Sequence, residues 1–233
     1  MNLYFFQHDP LESPGYILDW AHERGHQCEL VNFYDDDVLP DFTRVDGLVI
    51  MGGPMNIYDD EEYTWLETER DFVKRCILSG KKVFGICLGS QIIADALGSL
   101  IKRNAHAEIG WFKVRIDKQK LSKKYKGVFP DDFVTLHWHS DTFDLPENAV
   151  GFASSLATPN QAFLWNDNVM ALQFHPEMTE RGVTFLVEDH PEIFENNFPF
   201  VQQRHEILGT DSYFEINRRI LFKLLDKFFG ESK

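Results

Sequence analysis

Lys82-Val83-Phe84-Gly85-Ile86-Cys87-Leu88-Gly89-Ser90-Gln91 is the stretch on which the reading of the whole chain turns. Its first five residues have the unbroken apolar character of a strand buried on both faces. Leu88 to Leu97 reads as a helix stopped by Gly98. Cys87 stands at the junction, with Gly85 and Gly89 two positions away on either side. That spacing suits a sharp strand-to-helix corner, where a side chain at either position would strike the other arm. Such a corner lifts the sulfur toward a cleft, and the helix N-terminus beside it is expected to favour the nucleophilic thiolate. Cys28 and Cys76 lack the glycine frame and read as packed cysteines, the ordinary fate of a free thiol.

The same strand-then-helix rhythm runs through the residues before it. Leu3 to Phe6 is an expected strand, followed by a turn-rich loop from Gln7 to Gly15 with two prolines. Tyr16 to Arg24 follows as a helix stopped by Gly25, then Cys28 to Phe33 as a second strand. Asp46 to Met51 is a third strand, and it ends in Gly52-Gly53-Pro54, a loop free to present backbone N–H groups. Glu61 to Leu78 reads as a long helix. The alternation predicts a parallel, doubly wound sheet, whose sites form beyond the carboxyl ends of the strands. Cys87 and the Gly52-Gly53 loop both lie at such ends. The acidic run Asp35-Asp36-Asp37 reads as a solvated surface, since three adjacent aspartates cannot all face one ion.

Downstream the pattern changes. Gly110 to Ile116, Phe133 to Trp138, Gly151 to Ser154, Gln161 to Trp165 and Val169 to Phe174 read as short strands between turn signals, added as antiparallel or mixed pairs. Thr179 to Val187, Phe200 to Leu208 and Phe214 to Phe229 read as helices, the last with a clear apolar face. Glu188 to Pro199 reads as an irregular excursion. With no linker evident, residues 1–233 are expected to form one domain, with a core over about 1–185 and a helical extension over 186–233.

Composition narrows the function. The chain has 233 residues, of which 43% are hydrophobic, enough to bury a substantial core. A formal net charge of −14 disfavours nucleic acid and anionic lipid as partners. Three cysteines do not make a disulfide framework, so a reducing, cytoplasmic setting is expected. No stretch approaches the roughly twenty apolar residues of a membrane span, and the N-terminus lacks the features of a signal peptide.

A nucleophilic cysteine needs a base, and the base an orienter. His175 follows a buried-looking strand and precedes Pro176, with Glu177 two residues on. In extended chain those two side chains share a side, so the carboxylate can hold one imidazole nitrogen while the other faces Cys87. A His-x-Glu pair also occurs at metal sites, but no third ligand or H-E-x-x-H helix accompanies it. His137 and His139 share a strand face, which makes zinc conceivable. A strand-end turn that binds substrate through the backbone around Asp141 is the stronger reading.

Together the Gly-Gly-Pro loop, the Gly-Ile-Cys-Leu-Gly-Ser-Gln elbow, the His139-Ser140-Asp141 turn and His175-Pro176-Glu177 resemble a class I glutamine amidotransferase domain, over roughly residues 1–185. The details are closest to stand-alone, GMP-synthase-like glutaminase proteins, which share a sequence like Glu108-Ile109-Gly110-Trp111. The resemblance implies a three-layer α/β open sheet, mostly parallel and flavodoxin-like, with added antiparallel strands and C-terminal helices. It implies Cys87 as nucleophile, His175 as general base and acid, and Glu177 as orienter. It implies an oxyanion hole from the N–H groups of Gly53 and Leu88, and glutamine held by Gln91 and by His139, Ser140 and Asp141. No cofactor and no metal is implied. The expected reaction is hydrolysis of the glutamine side-chain amide through a γ-glutamyl thioester. No synthetase domain or P-loop is encoded, which leaves three readings. One is a glutaminase that hands ammonia to a separate synthase subunit. Another is a γ-glutamyl peptide or conjugate hydrolase with the same triad. The third, from another class, is a non-enzymatic interaction or stress-response protein on the same fold. The intact triad argues against this last one.

Overall fold

The computed structural model describes residues 1–35, 38–195, 197–210 and 212–230. Of the acidic run only Asp35 is among them. Nine strands are present: β1 (Asn2–Gln7), β2 (Gln27–Asn32), β3 (Gly47–Ile50), β4 (Lys82–Ile86), β5 (Ile101–Ile116), β6 (Asp132–Phe143), β7 (Val150–Ser154), β8 (Ala162–Trp165) and β9 (Val169–Leu172). The helices are α1 (Gly15–Glu23), α2 (Leu66–Leu78), α3 (Leu88–Ala96), α4 (Glu180–Asp189), α5 (Arg204–Leu208) and α6 (Ser212–Phe229). Among the described residues the strands make one sheet in the order β2-β1-β3-β4-β9-β8-β7-β5-β6. From β2 to β9 the neighbours are parallel; from β9 to β6 they are antiparallel.

Three layers follow from which faces are apolar. Trp20 of α1 and Leu221, Leu224 and Phe228 of α6 pack on one side of the sheet, against Phe5, Val49 and Phe84. Phe72 and Cys76 of α2 and Ile92 and Ile93 of α3 pack on the other, against Phe6, Ile50 and Val83. The central strands are therefore buried on both faces, which is why they are continuous apolar runs in the sequence.

The C-terminal helix is an integral part of the first layer. Asp226 accepts from Trp20 Nε1 at 2.8 Å and from Arg24 Nε at 2.8 Å, joining α6 to α1. Leu221, Leu224, Leu225 and Phe228 are all buried. At about 1.5–3 kcal/mol each, their burial is comparable with the whole net stability of a typical domain, ~5–15 kcal/mol.

The structure revises several element boundaries. The long helix starts at Leu66, not Glu61, because Asp59 accepts from the N–H groups of Glu62 and Tyr63 and closes a turn there. The two middle strands are far longer than the sequence indicates: β5 and β6 pair from Ile101↔Phe143 to Arg115↔Asp132. A register shift between Arg103 and Glu108 breaks their alternation, which hid their length. His139-Ser140-Asp141 accordingly lies inside β6, opposite this irregularity, and is not a strand-end turn. Past α4, the excursion folds back on the sheet: Ile109 N–H donates to Phe200 O at 2.9 Å, and Gln202 N–H donates to Ile109 O at 3.0 Å.

Candidate active site

Cys87 takes φ 50 and ψ −109 at the start of α3, a conformation that L-residues seldom adopt. The two glycines make it feasible. A Cβ on Gly85 would sit 2.5 Å from Gly89 O, and one on Gly89 would sit 2.2 Å from Ile50 O. The Cys87 N–H donates to Leu172 O at 2.8 Å, tying the elbow to the end of β9, and three residues beyond that end stands His175. The His175 N–H in turn donates to Leu136 O at 2.8 Å.

The imidazole Nδ1 and Glu177 Oε1 are 2.8 Å apart, both side chains buried. A carboxylate can only accept, so Nδ1 carries the proton and Nε2 is left as the nitrogen on the cysteine side. Among the described residues Nε2 makes no hydrogen bond. The thiol turns instead toward the Trp138 carbonyl, 3.7 Å away, and receives Gln173 Nε2 at 3.6 Å. Sulfur and imidazole are still close enough to act on each other's protons. Burial pushes the Cys87 thiol up, with the neighbouring His175 pulling the other way. Burial pulls His175 down, but Glu177 and the cysteine outweigh it and hold the imidazole well above its ordinary range. Burial at the elbow thus opposes the expected bias of the helix N-terminus toward the thiolate.

A cavity of about 220 Å³ opens over the sulfur. Gly53, Leu88, Gln91, His139, Ser140 and Asp141 all line it together with Cys87, so every residue expected to bind substrate or stabilise an oxyanion comes to one cleft. Gly53 and Leu88 are neighbours: a Cβ on Gly53 would meet Leu88 Cδ2 at 2.9 Å. Gln91 Nε2 donates to Gln173 Oε1 at 3.3 Å. Asp141 accepts from Asn56 Nδ2 at 2.9 Å and pairs with Arg103 at 3.4 Å.

His137 and His139 do not point at the sulfur as a pair. With Glu108 they form a buried trio whose donor atoms lie within 4.8 Å of one another, a spacing compatible with a metal. Its centre is filled by protein. Gln161 Nε2 lies 2.7 Å from Glu108 Oε2, 3.3 Å from His137 Nδ1 and 3.5 Å from His139 Nε2. Ser155 and Thr158 hydroxyls also donate to the same carboxylate oxygen, at 2.9 and 3.0 Å. Glu108 Oε2 thus already accepts three donors from within the protein. The trio braces β6 instead: His139 Nδ1 is bonded to the Asp141 carbonyl at 3.0 Å, next to Ser140.

Several residues at the cleft have no counterpart in the sequence reading. Glu12, in the loop after β1, lines the cavity with an Oε2 that has no hydrogen-bond partner among the described residues. Burial, with Glu177 and Asp9 adding and His175 subtracting, pushes its carboxyl up to about 7. His190 and Ile193, from the excursion after α4, form the outer wall. Neither lies in a periodic pattern. The one available signal was for Glu12, a carboxyl just past the carboxyl end of a central strand.

Such a sheet, with a buried cysteine on a strained strand-to-helix corner and a histidine–glutamate pair just beyond the adjacent strand, defines an α/β protein with a cysteine–histidine–carboxylate cluster at the carboxyl ends of its parallel strands. The chain belongs to the class-I glutamine amidotransferase family, whose model matches residues 16–196. A glutamine amidotransferase-like protein of Salmonella typhimurium, YfeJ, is 30% identical over 192 residues, covering 81% of this chain and 80% of that protein. Gamma-glutamyl peptidase 3 of Arabidopsis thaliana is 30% identical over 164 residues, covering 66% of this chain and 64% of that protein. The crystal structure of a glutamine amido transferase from Methylobacillus flagellatus superposes with a TM-score of 0.92 at 26% identity, over 100% of this chain and 95% of that one. No helix among the described residues is long and apolar enough to cross a membrane.

Proposed function

We propose that the protein hydrolyses the side-chain amide of glutamine through a γ-glutamyl thioester on Cys87. The observation that carries this reading is the strained Cys87 corner opening on a cavity, with the buried His175–Glu177 pair beside the same sulfur. His175 Nε2 takes the thiol proton as sulfur attacks the carboxamide carbon. Its imidazolium, held by Glu177, then passes that proton to the departing nitrogen, and ammonia leaves. Water attacks the thioester with His175 again as base and releases glutamate. The Gly53 and Leu88 N–H groups receive the oxyanion, each donor contributing about 3 kcal/mol to the transition state. Gln91, His139, Ser140 and Asp141 hold the amino-acid end.

A second reading, γ-glutamyl peptide or conjugate hydrolysis, is favoured by the likeness to the Arabidopsis peptidase and by the outer wall that His190 and Ile193 add beyond the catalytic groups. Both readings use the same atoms and differ only in the leaving group. A separate synthase subunit would be the ammonia acceptor in the first. Ammonia release from glutamine and amine release from γ-glutamyl peptides, measured side by side, separate them. Under either reading Cys87→Ala abolishes release, and residual release at the wild-type rate from that variant would remove the nucleophile.

A further inference from the structure

Gly52 and Gly53 share one peptide plane, and no peptide bond is cis. In a trans peptide the carbonyl and the N–H point in opposite directions. Whatever holds the Gly52 carbonyl therefore aims the Gly53 N–H. That carbonyl is held by His8 Nδ1 at 3.0 Å, and His8 Nε2 lies 2.9 Å from Glu69 Oε1 on α2. Both side chains of this pair are fully buried. His8 belongs to a three-ring cluster with Phe33 and Trp65, at centroid distances of 5.7 and 5.3 Å, while those two rings stack on each other at 4.6 Å. The His8 Cβ lies 2.9 Å from where a Gly53 Cβ would be, and His8 is not among the residues that line the cavity with Gly53.

We infer that the His8–Glu69 pair is a positioning device for the oxyanion hole, fixing the Gly52–Gly53 peptide so that the Gly53 N–H faces the reacting carbonyl oxygen. This rests on the glutaminase reading above and deepens it. Two glycines in succession cannot fix the plane themselves, because each passes freely between orientations. The flipped peptide would turn a carbonyl into the site, where a developing negative charge would be repelled.

Proton bookkeeping supports the assignment. A carbonyl accepts only, so Nδ1 must donate to Gly52. For Nε2 to donate to a carboxylate as well, the ring must be an imidazolium. Burial alone would pull His8 down, but the Glu69 carboxylate, the Gly52 carbonyl and, more weakly, Glu12 raise it above its ordinary value. These are the charged and accepting groups acting on the ring; the Phe33 and Trp65 rings pack against it. A raised histidine keeps its second proton to higher pH than a free imidazole and loses it as pH climbs through the folded value, leaving one N–H for two acceptors.

The test compares His8→Ala, His8→Asn and Glu69→Gln with the wild type and with Cys87→Ala. Ammonia release gives kcat and KM, and iodoacetamide alkylation of Cys87 is followed by peptide mass spectrometry. Alkylation needs the thiolate but forms no oxyanion. His8→Ala is expected to lower kcat roughly a hundredfold or more, with KM and the Cys87 alkylation rate near wild type. His8→Asn recovers much of the loss, because its Nδ2 stands where Nδ1 stood. Glu69→Gln moves the alkaline fall of kcat to lower pH. The inference is overturned by a His8→Ala variant with wild-type kcat. It is equally overturned by alkylation slowed in step with kcat, or by His8→Asn being no better than His8→Ala. Should Cys87→Ala still release ammonia, the function and this inference fall together, whereas an inert Cys87→Ala beside a fully active His8→Ala sinks this inference alone.

Discussion

Two buried histidine–carboxylate groups lie near each other across β6, and they are built in opposite ways. In the Glu108–His137–His139 trio one carboxylate oxygen accepts from Ser155, Thr158 and Gln161, with both histidines close by. Burial pushes Glu108 up, but hydrogen bonding to His139, the two histidines and Ser155 outweigh it and hold the carboxyl at about 2. Burial holds His137 down at about 3. Glu108 and His137 therefore keep their protonation states across the physiological range. In the other group, Cys87, His175, Glu177 and Glu12, three polar atoms stay unpaired: His175 Nε2, Glu177 Oε2 and Glu12 Oε2. The trio also leaves His137 Nε2 and Gln161 Oε1 unpaired, but neither of those residues lines the cleft, whereas Cys87 and Glu12 do. A saturated cluster can only hold its shape. An unsaturated one beside an open cavity has room for a substrate to complete it and for a proton to move.

This contrast can be broken at three points. The largest effect is expected at the open cluster. His175→Ala should reduce kcat for ammonia release by about four orders of magnitude or more. Glu177→Gln should lose roughly a hundredfold less, since it removes the orienter and leaves the base. Equal losses, in steady-state assays of both variants, would mean that Glu177 does more than orient.

At the saturated cluster the cost should fall on folding. Glu108→Gln is expected to lose about 1–3 kcal/mol in urea unfolding at pH 7, as for taking a charged acceptor away from several buried donors. Glu108 is held below its ordinary value of 4.5, so its contribution is present above that pH and lost as pH falls toward 2. His137, held below 6.5, must charge on unfolding in acid, so its contribution disappears as pH falls from 6.5 toward 3. Stability of the wild type should therefore decline steadily on acidification, and more shallowly in Glu108→Gln. A variant as stable as the wild type would show that the trio is not a brace.

The smallest effect, and of the opposite sign, is expected at Glu12. Its folded value of about 7 lies above the ordinary 4.5, so the folded state binds the extra proton and stability falls as pH rises through that window. Glu12→Gln should be more stable than the wild type at pH 8, by at most about 3 kcal/mol, and indistinguishable from it below pH 4.5. A turnover reduced in the same variant would mark a carboxylate kept for function at a cost to stability. Denaturation curves at the two pH values decide it.

How much of this was legible beforehand differs by element. The elbow was, because Gly85 and Gly89 are demanded by backbone contacts under 3 Å that no other residue type could survive. The central strands were, because burial on both faces leaves a continuous apolar run. The His175–Glu177 pair was, because two residues in extended chain share a side. The extent of β5 and β6 was not, because the irregularity between Arg103 and Glu108 interrupts the period that announces a strand. The outer wall from His190 and Ile193 was not, because an irregular excursion carries no period at all.

The sequence by itself determined the class of fold, the glycine-framed corner at Cys87 and the pairing of His175 with Glu177, since each is written in local spacing and local sterics. Only the tertiary structure decided which carboxylates are spoken for and which stay open, that Gln161 bonds into the Glu108 cluster, that Glu12 lines the cleft, and that His8 reaches the Gly52 carbonyl. Proton affinities and hydrogen-bond saturation depend on what surrounds a group in space, and residues as far apart as Glu12 and His175 meet only after the sheet has been assembled.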